Sequence, residues 1–133
     1  MMEVSFPASD HGAPQSANRT DRPWGWFETL AVGEGYLIKR LWIAPGLRIS
    51  LQRHSHRSEH WYVALGGGYV TIDSQQLEAQ VDSTFAVPCG AIHRAQAGSE
   101  GMLIVEIQRG SLLIETDIER FADDYGRCAS SPR

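Results

Sequence analysis

The feature that most constrains what this chain can fold into is a rhythm of short segments rich in Val, Ile, Leu, Tyr and Trp, each closed by turn residues. The segments are residues 27–31, 36–43, 48–52, 61–65, 69–72, 76–80, 84–87, 91–96 and 102–108. Between them sit Gly33-Glu34-Gly35, Pro45-Gly46, Gly66-Gly67-Gly68, Pro88-Cys89-Gly90 and Ala97-Gly98. Gly supplies backbone angles closed to other residues and Pro cannot donate to a ladder, so these clusters end strands and turn the chain. Many short strands at such spacing predict an all-β barrel or sandwich. One helix is expected, over residues 115–124, where Ile118 and Phe121 share a face.

With 133 residues the chain suits one domain. Residues 1–21 are poor in aromatics and rich in Ser, Ala, Pro and Asn, so they read as a flexible leader; 22–127 form the domain and 128–133 a tail. A net charge of −4 argues against a nucleic-acid partner. No apolar run is long enough for a membrane span and no secretory h-region precedes the domain. Cys89 and Cys128 form no CxxC pair and are expected to be reduced thiols in a cytoplasmic protein.

Chemistry concentrates in Gln52-Arg53-His54-Ser55-His56-Arg57-Ser58-Glu59-His60, which holds three of the five histidines. On an extended strand Ser50, Gln52, His54 and, with it, His56 share one face. Glu59 would open the next strand, and Pro88 to His93 place a further imidazole after a turn. Imidazoles with a carboxylate suit one divalent ion: zinc, manganese, cobalt, nickel or iron.

The HxH pattern, Glu59, Gly66 seven residues later and the downstream PxGxxH together resemble the two-part cupin signature. The likeness is closer to one branch, the cupin domain of type II phosphomannose isomerases, usually fused behind a mannose-1-phosphate guanylyltransferase. It is carried by Arg22-Pro23-Trp24-Gly25, Lys39-Arg40, Pro45-Gly46, SLQRHSHRSEHW from Ser50, PCGAIHR from Pro88, EIQRGS from Glu106 and DIERFADDYGR from Asp117. Ala86, Ala97, Leu112 and Ile114 depart from the branch's pattern.

This resemblance implies a double-stranded β-helix, or jelly-roll barrel, holding one metal ion, and interconversion of mannose 6-phosphate and fructose 6-phosphate. The usual cupin interval back from Glu59 gives Gln52, His54, Glu59 and His93 as ligands, with His56 the substitute for Gln52. An aldose–ketose isomerase moves a proton between C1 and C2 through an enediolate whose charge a metal offsets. His56, His60 and Glu106 are the candidate shuttling bases. Arg57, Arg94 and Lys39 are the candidate phosphate contacts, with Arg40 beside them. The four tryptophans read as core or interface residues, and Asp117, Arg120 and Asp124 fit pairing on a helix surface as well as any site role. A homodimer, as small cupins commonly form, is expected. The alternative functions are a metal-binding cupin that binds or senses a sugar-like ligand without catalysis, and another metal-dependent enzyme on the same scaffold.

Overall fold

The computed structural model describes residues 13–14 and 18–128. The described residues include nine strands: β1 (Thr20–Arg22), β2 (Gly25–Gly33), β3 (Tyr36–Ile43), β4 (Leu51–Arg53), β5 (Arg57–Ile72), β6 (Gln75–Gln80), β7 (Thr84–Val87), β8 (His93–Gly110) and β9 (Glu119–Ala122). The ladder runs β1-β2-β3-β8-β4-β9, and β5 joins it through β8 while also pairing with β6 and β7. Every pairing is antiparallel. The expected all-β class is the observed one.

Two long strands bend the sheet into a barrel. The segments expected as separate strands at 61–65 and 69–72 are one strand, β5, and those at 91–96 and 102–108 fall within β8. The glycines between them are bulges rather than turns. Residues 57–66 of β5 pair with 102–110 of β8, residues 68–72 pair with 93–97, and the register shifts between Val63/Leu65 and Gly66/Gly68. Gly66 has φ +70°, and a Cβ there would lie 2.0 Å from the carbonyl oxygen of Gly101. Only glycine lets the two strands cross so closely while turning a corner.

Strand alternation then sorts the side chains. Arg57, Glu59, Trp61 and Val63 of β5 are buried, whereas His60 and Tyr62 face solvent. On β8 His93, Ala95, Ala97, Met102, Ile104, Glu106 and Gln108 point inward. Trp24, Leu41, Ile43, Ile49, Val63, Val70, Met102 and Ile104 belong to one apolar cluster. Burial of each large aliphatic side chain contributes about 1.5–3 kcal/mol. Trp26, Trp42 and Leu103 form a second cluster, against which Ala64 and Ala13 pack. All four tryptophans are buried, as core residues should be.

Three expectations change. The helix over 115–124 is absent: residues 115–116 turn and Glu119–Ala122 is β9, paired to β4 through Leu51↔Ala122, Gln52↔Arg120 and Arg53↔Glu119. The Ile118/Phe121 spacing fits a helix locally, but the open edge of β4 offers backbone partners, and that tertiary pairing overrides the weak local preference. The boundary at 22 falls inside β1, because Thr20 and Asp21 pair with Phe27 and Trp26. Within the segment expected as a leader, Pro14 is buried beside Ala13; the rest of that segment through residue 12, residues 15–17 and the tail from 129 lie outside the described residues.

Candidate functional site

The inward faces of β2, β3, β4, β5 and β8, with the chain around β9, enclose a cavity lined by His54, Glu59, His93, Glu106, Gln52, Arg57, Lys39, Ser50, Trp24, Phe27 and Trp61. At its inner end one ligand atom each of His54, Glu59 and His93 lies within 4.8 Å of the others, all three residues buried. His54 Nε2 is 3.2 Å from Glu59 Oε2, and His93 Nε2 is 3.8 Å from Glu59 Oε1.

Hydrogen bonds behind the imidazoles fix their tautomers. His54 Nδ1–H donates to the Asp117 carbonyl at 2.8 Å, and His93 Nδ1–H donates to the Ala91 carbonyl at 2.9 Å. Both Nε2 atoms are therefore unprotonated acceptors beside the Glu59 carboxylate, the arrangement that orients metal-binding histidines. Burial pushes the His54 imidazole down to about 4, helped by the Arg57 charge, and burial also lowers His93. Both rings are neutral near pH 7, as ligation demands. His93 Nε2 is buried without a hydrogen-bond partner among the described residues. An orphaned acceptor beside a carboxylate is what a divalent cation would satisfy, so the residues fit a metal ion. Gln52 also lines the cavity; its amide nitrogen donates to Ser50 Oγ at 2.9 Å, which leaves the amide oxygen as its remaining donor atom.

Glu59 is held from two sides. Trp61 Nε1–H donates to Oε1 at 2.9 Å and Arg57 Nε–H donates to Oε2 at 2.8 Å. Arg57 Nη2 also donates to His54 Nε2 at 3.2 Å, so its guanidinium stands among the candidate ligands rather than apart from them. Glu106 lies next to this group. Burial, the Glu59 charge and a hydrogen bond to Glu59 push its carboxyl up to about 8, against the pull of Lys39 and Arg57.

The other expected site residues are placed as follows. His56 is half exposed outside the cavity lining, with Nδ1 3.4 Å from Asp117 Oδ1, so the structure does not bring it to the His54, Glu59 and His93 group. His60 faces solvent on β5, one residue out of phase with Glu59. Arg94, one residue past His93, points to the other face of β8 and donates from Nε to the Ile49 carbonyl. Arg40 pairs with Glu28 on the outer face, while Lys39 points inward and donates from Nζ to Glu115 Oε2 at 2.6 Å. Of the three base candidates only Glu106 lines the cavity.

Sequence reasoning missed most of the outer part of the cavity, Arg22, Glu115, Ile118 and Arg127, and left Arg120 open between a helix surface and a site. Arg22 and the DIERFADDYGR segment were within the resembling stretches, but no local spacing joins them. They meet through the pairings of β1 with β2 and β9 with β4. Asp117, expected as a helix-surface partner, instead accepts the backbone N–H groups of Ser55 and His56 at 2.9 Å and so holds the turn that carries His54.

Comparison with solved structures places the fold. The cupin domain of Schizosaccharomyces pombe Cnp3 superimposes with a TM-score of 0.66 at 18% identity, covering 71% of this chain and 69% of that one. Bacillus subtilis oxalate decarboxylase OxdC, as a mutant, gives 0.69 at 18% identity over 86% of this chain and 35% of that one. The barrel is a cupin. Among curated proteins, the alginate biosynthesis protein AlgA of Pseudomonas aeruginosa is 40% identical over 109 residues, 81% of this chain and 23% of AlgA. The mannose-1-phosphate guanylyltransferase of Escherichia coli K12 is 39% identical over 107 residues, 80% of this chain and 22% of that protein. The chain thus spans about a quarter of the length of these relatives. Residues 9–123 match the model for the C-terminal domain of mannose-6-phosphate isomerase. The chain belongs to the mannose-6-phosphate isomerase C-terminal family.

Proposed function

We propose that this domain is a metal-dependent isomerase that interconverts mannose 6-phosphate and fructose 6-phosphate. The observation that carries the reading is the convergence, in one cavity of a domain of this family, of His54, Glu59 and His93 with the buried carboxyl of Glu106 beside them. His54, Glu59 and His93, with Gln52 as fourth donor, would hold the ion, one of zinc, manganese, cobalt, nickel or iron. A bound divalent ion supplies positive charge where the reaction develops negative charge on O1 and O2.

The chain's own groups do the rest. With Glu59 a candidate ligand and Glu115 paired with Lys39, Glu106 is the cavity carboxyl left for the proton transfer: it takes a proton from one of C1 and C2 and returns it to the other. A carboxyl pushed up to about 8 binds protons strongly enough to act as a base near neutral pH. Trp61 and Arg57 hold Glu59 in place, and the walls formed by Trp24, Phe27 and Trp61 keep bulk water from the reacting carbons.

A coupled assay of the purified chain with mannose 6-phosphate and each of these metals tests the proposal. Turnover that requires metal and disappears in Glu106→Gln is the expected result. Metal binding without turnover on either sugar phosphate would overturn it and favour the non-catalytic binding cupin.

A further inference from the structure

The cavity's outer part has a charge arrangement that the isomerase reading leaves unused. Arg22 from β1, Arg120 from β9 and Arg127 just beyond β9 all line the one cavity. Of the cations expected to hold a phosphate, Arg57 is committed to Glu59 and His54, Lys39 to Glu115, and Arg94 faces away. The three outer arginines are differently placed. Arg120 Nε is buried without a hydrogen-bond partner, and its guanidinium makes no ion pair among the described residues. Among the described residues Arg22 donates to the backbone carbonyl of Asp21, and its guanidinium stands 5.0 Å over the Phe27 ring. Arg127 is held flat against Asp123 through two N–H donors at 3.0 and 2.9 Å, which orients it while neutralising one charge.

Three guanidiniums gathered at one cavity repel one another. Burial lowers the Arg120 pKa, and the charges of Arg127 and Arg22 lower it further. A buried donor with no acceptor and an excess of like charge each cost stability. Both costs vanish if the cavity receives an anion with several acceptor oxygens, the ligand that planar guanidinium forks match. The placement also fits a two-ended ligand. Arg120 is the strand partner of Gln52, so it borders the inner group. Phe27, flanked by Arg22 and by Lys39 at 4.2 Å, gives the cavity an apolar wall beside the arginines.

We propose that Arg22, Arg120 and Arg127 form a phosphate-monoester site at the outer part of the cavity, with Arg120 as its central contact. That the monoester belongs to a sugar rests on the function proposed above; the anion site itself does not.

Titration calorimetry of the 133-residue, metal-free chain with inorganic phosphate, and separately with fructose 6-phosphate, tests the site without needing turnover. Arg120→Ala should weaken both by about tenfold or more, the loss of a charge-assisted contact pair. Arg120→Lys should recover part of it, and Arg22→Ala should weaken binding in the same direction. The exposed-surface control Arg109→Ala should stay within about twofold of the parent protein. Thermal melts establish that each variant is folded, and Arg22→Ala serves if both Arg120 variants unfold. Folded variants that bind phosphate as tightly as the parent, or a parent that binds neither probe, would overturn the site. Turnover on mannose 6-phosphate with an unchanged KM in Arg120→Ala would overturn the site while leaving the isomerase reading intact. Arginine-dependent phosphate binding without any turnover would do the reverse.

Discussion

The two ends of the cavity are built on opposite principles. The inner end pairs neutral imidazoles with a carboxylate, each held by specific hydrogen bonds, so its charge is set by protonation and by any cation it binds. The outer end is a group of arginines, whose planar guanidiniums are built to hold anions, so its sensitivity is to salt and to anions. A single small barrel thereby gathers candidate cation ligands and a group of arginines around one cavity, whose walls include Phe27, Trp24 and Trp61.

The largest effect should come from breaking the inner end. Glu59→Gln keeps the shape but removes the charge that faces both imidazoles, and metal affinity should fall more than about a hundredfold by calorimetric titration. Phosphate binding at the outer end should change far less. An isotherm for manganese or zinc that superposes on that of the parent would refute the inner site.

Proton concentration separates the ends next. His54 and His93 have pKa values lowered from the ordinary 6.5, His54 to about 4, so the stability they contribute is complete above 6.5 and is lost as pH falls below it. Glu106 is raised from 4.5 to about 8, so its contribution is complete below 4.5 and is lost as pH rises through about 8. Below 6.5 the two imidazoles act against Glu106, and between 6.5 and about 8 Glu106 alone of the three still acts, so the metal-free protein should be most stable near pH 6.5. Thermal midpoints between pH 4 and 9 should show both limbs, and Glu106→Gln should flatten the alkaline one. Potassium chloride at about 0.5 M, where the Debye length is only a few ångströms, should instead weaken phosphate binding.

A smaller effect sharpens the view that the inner ligands are held from behind. Asp117→Ala removes the acceptor for the Ser55 and His56 N–H groups while leaving the backbone carbonyl that His54 uses. Metal affinity should drop about tenfold and stability by about 1–2 kcal/mol. Equal affinity in the variant would show that the turn needs no such support. The smallest effect belongs to His60→Ala on the solvent face of β5, which should alter turnover by less than about twofold and stability by no more than about 0.5 kcal/mol. Loss of turnover there would move the proton transfer out of the cavity.

What the sequence by itself determined follows period and composition. Alternation along residues 57–63 already separates Glu59 from His60, and the density of histidines between Gln52 and His60 marks the inner end. The all-β class was legible because Val, Ile and aromatic runs cut by Gly and Pro leave few other solutions. Tertiary structure alone decided the remainder. Gly66 and Gly68 look like a turn in the sequence, and only the neighbouring β8 backbone makes them a bulge at a corner. Residues 115–124 carry a helical pattern, and only the open edge of β4 draws 119–122 into a strand. That pairing sets Arg120 beside Gln52, and β1 brings Arg22 from the other end of the domain. Contacts so distant along the chain leave no local periodicity to read, because the free energy that fixes them comes from ladders and burial formed only when the barrel closes.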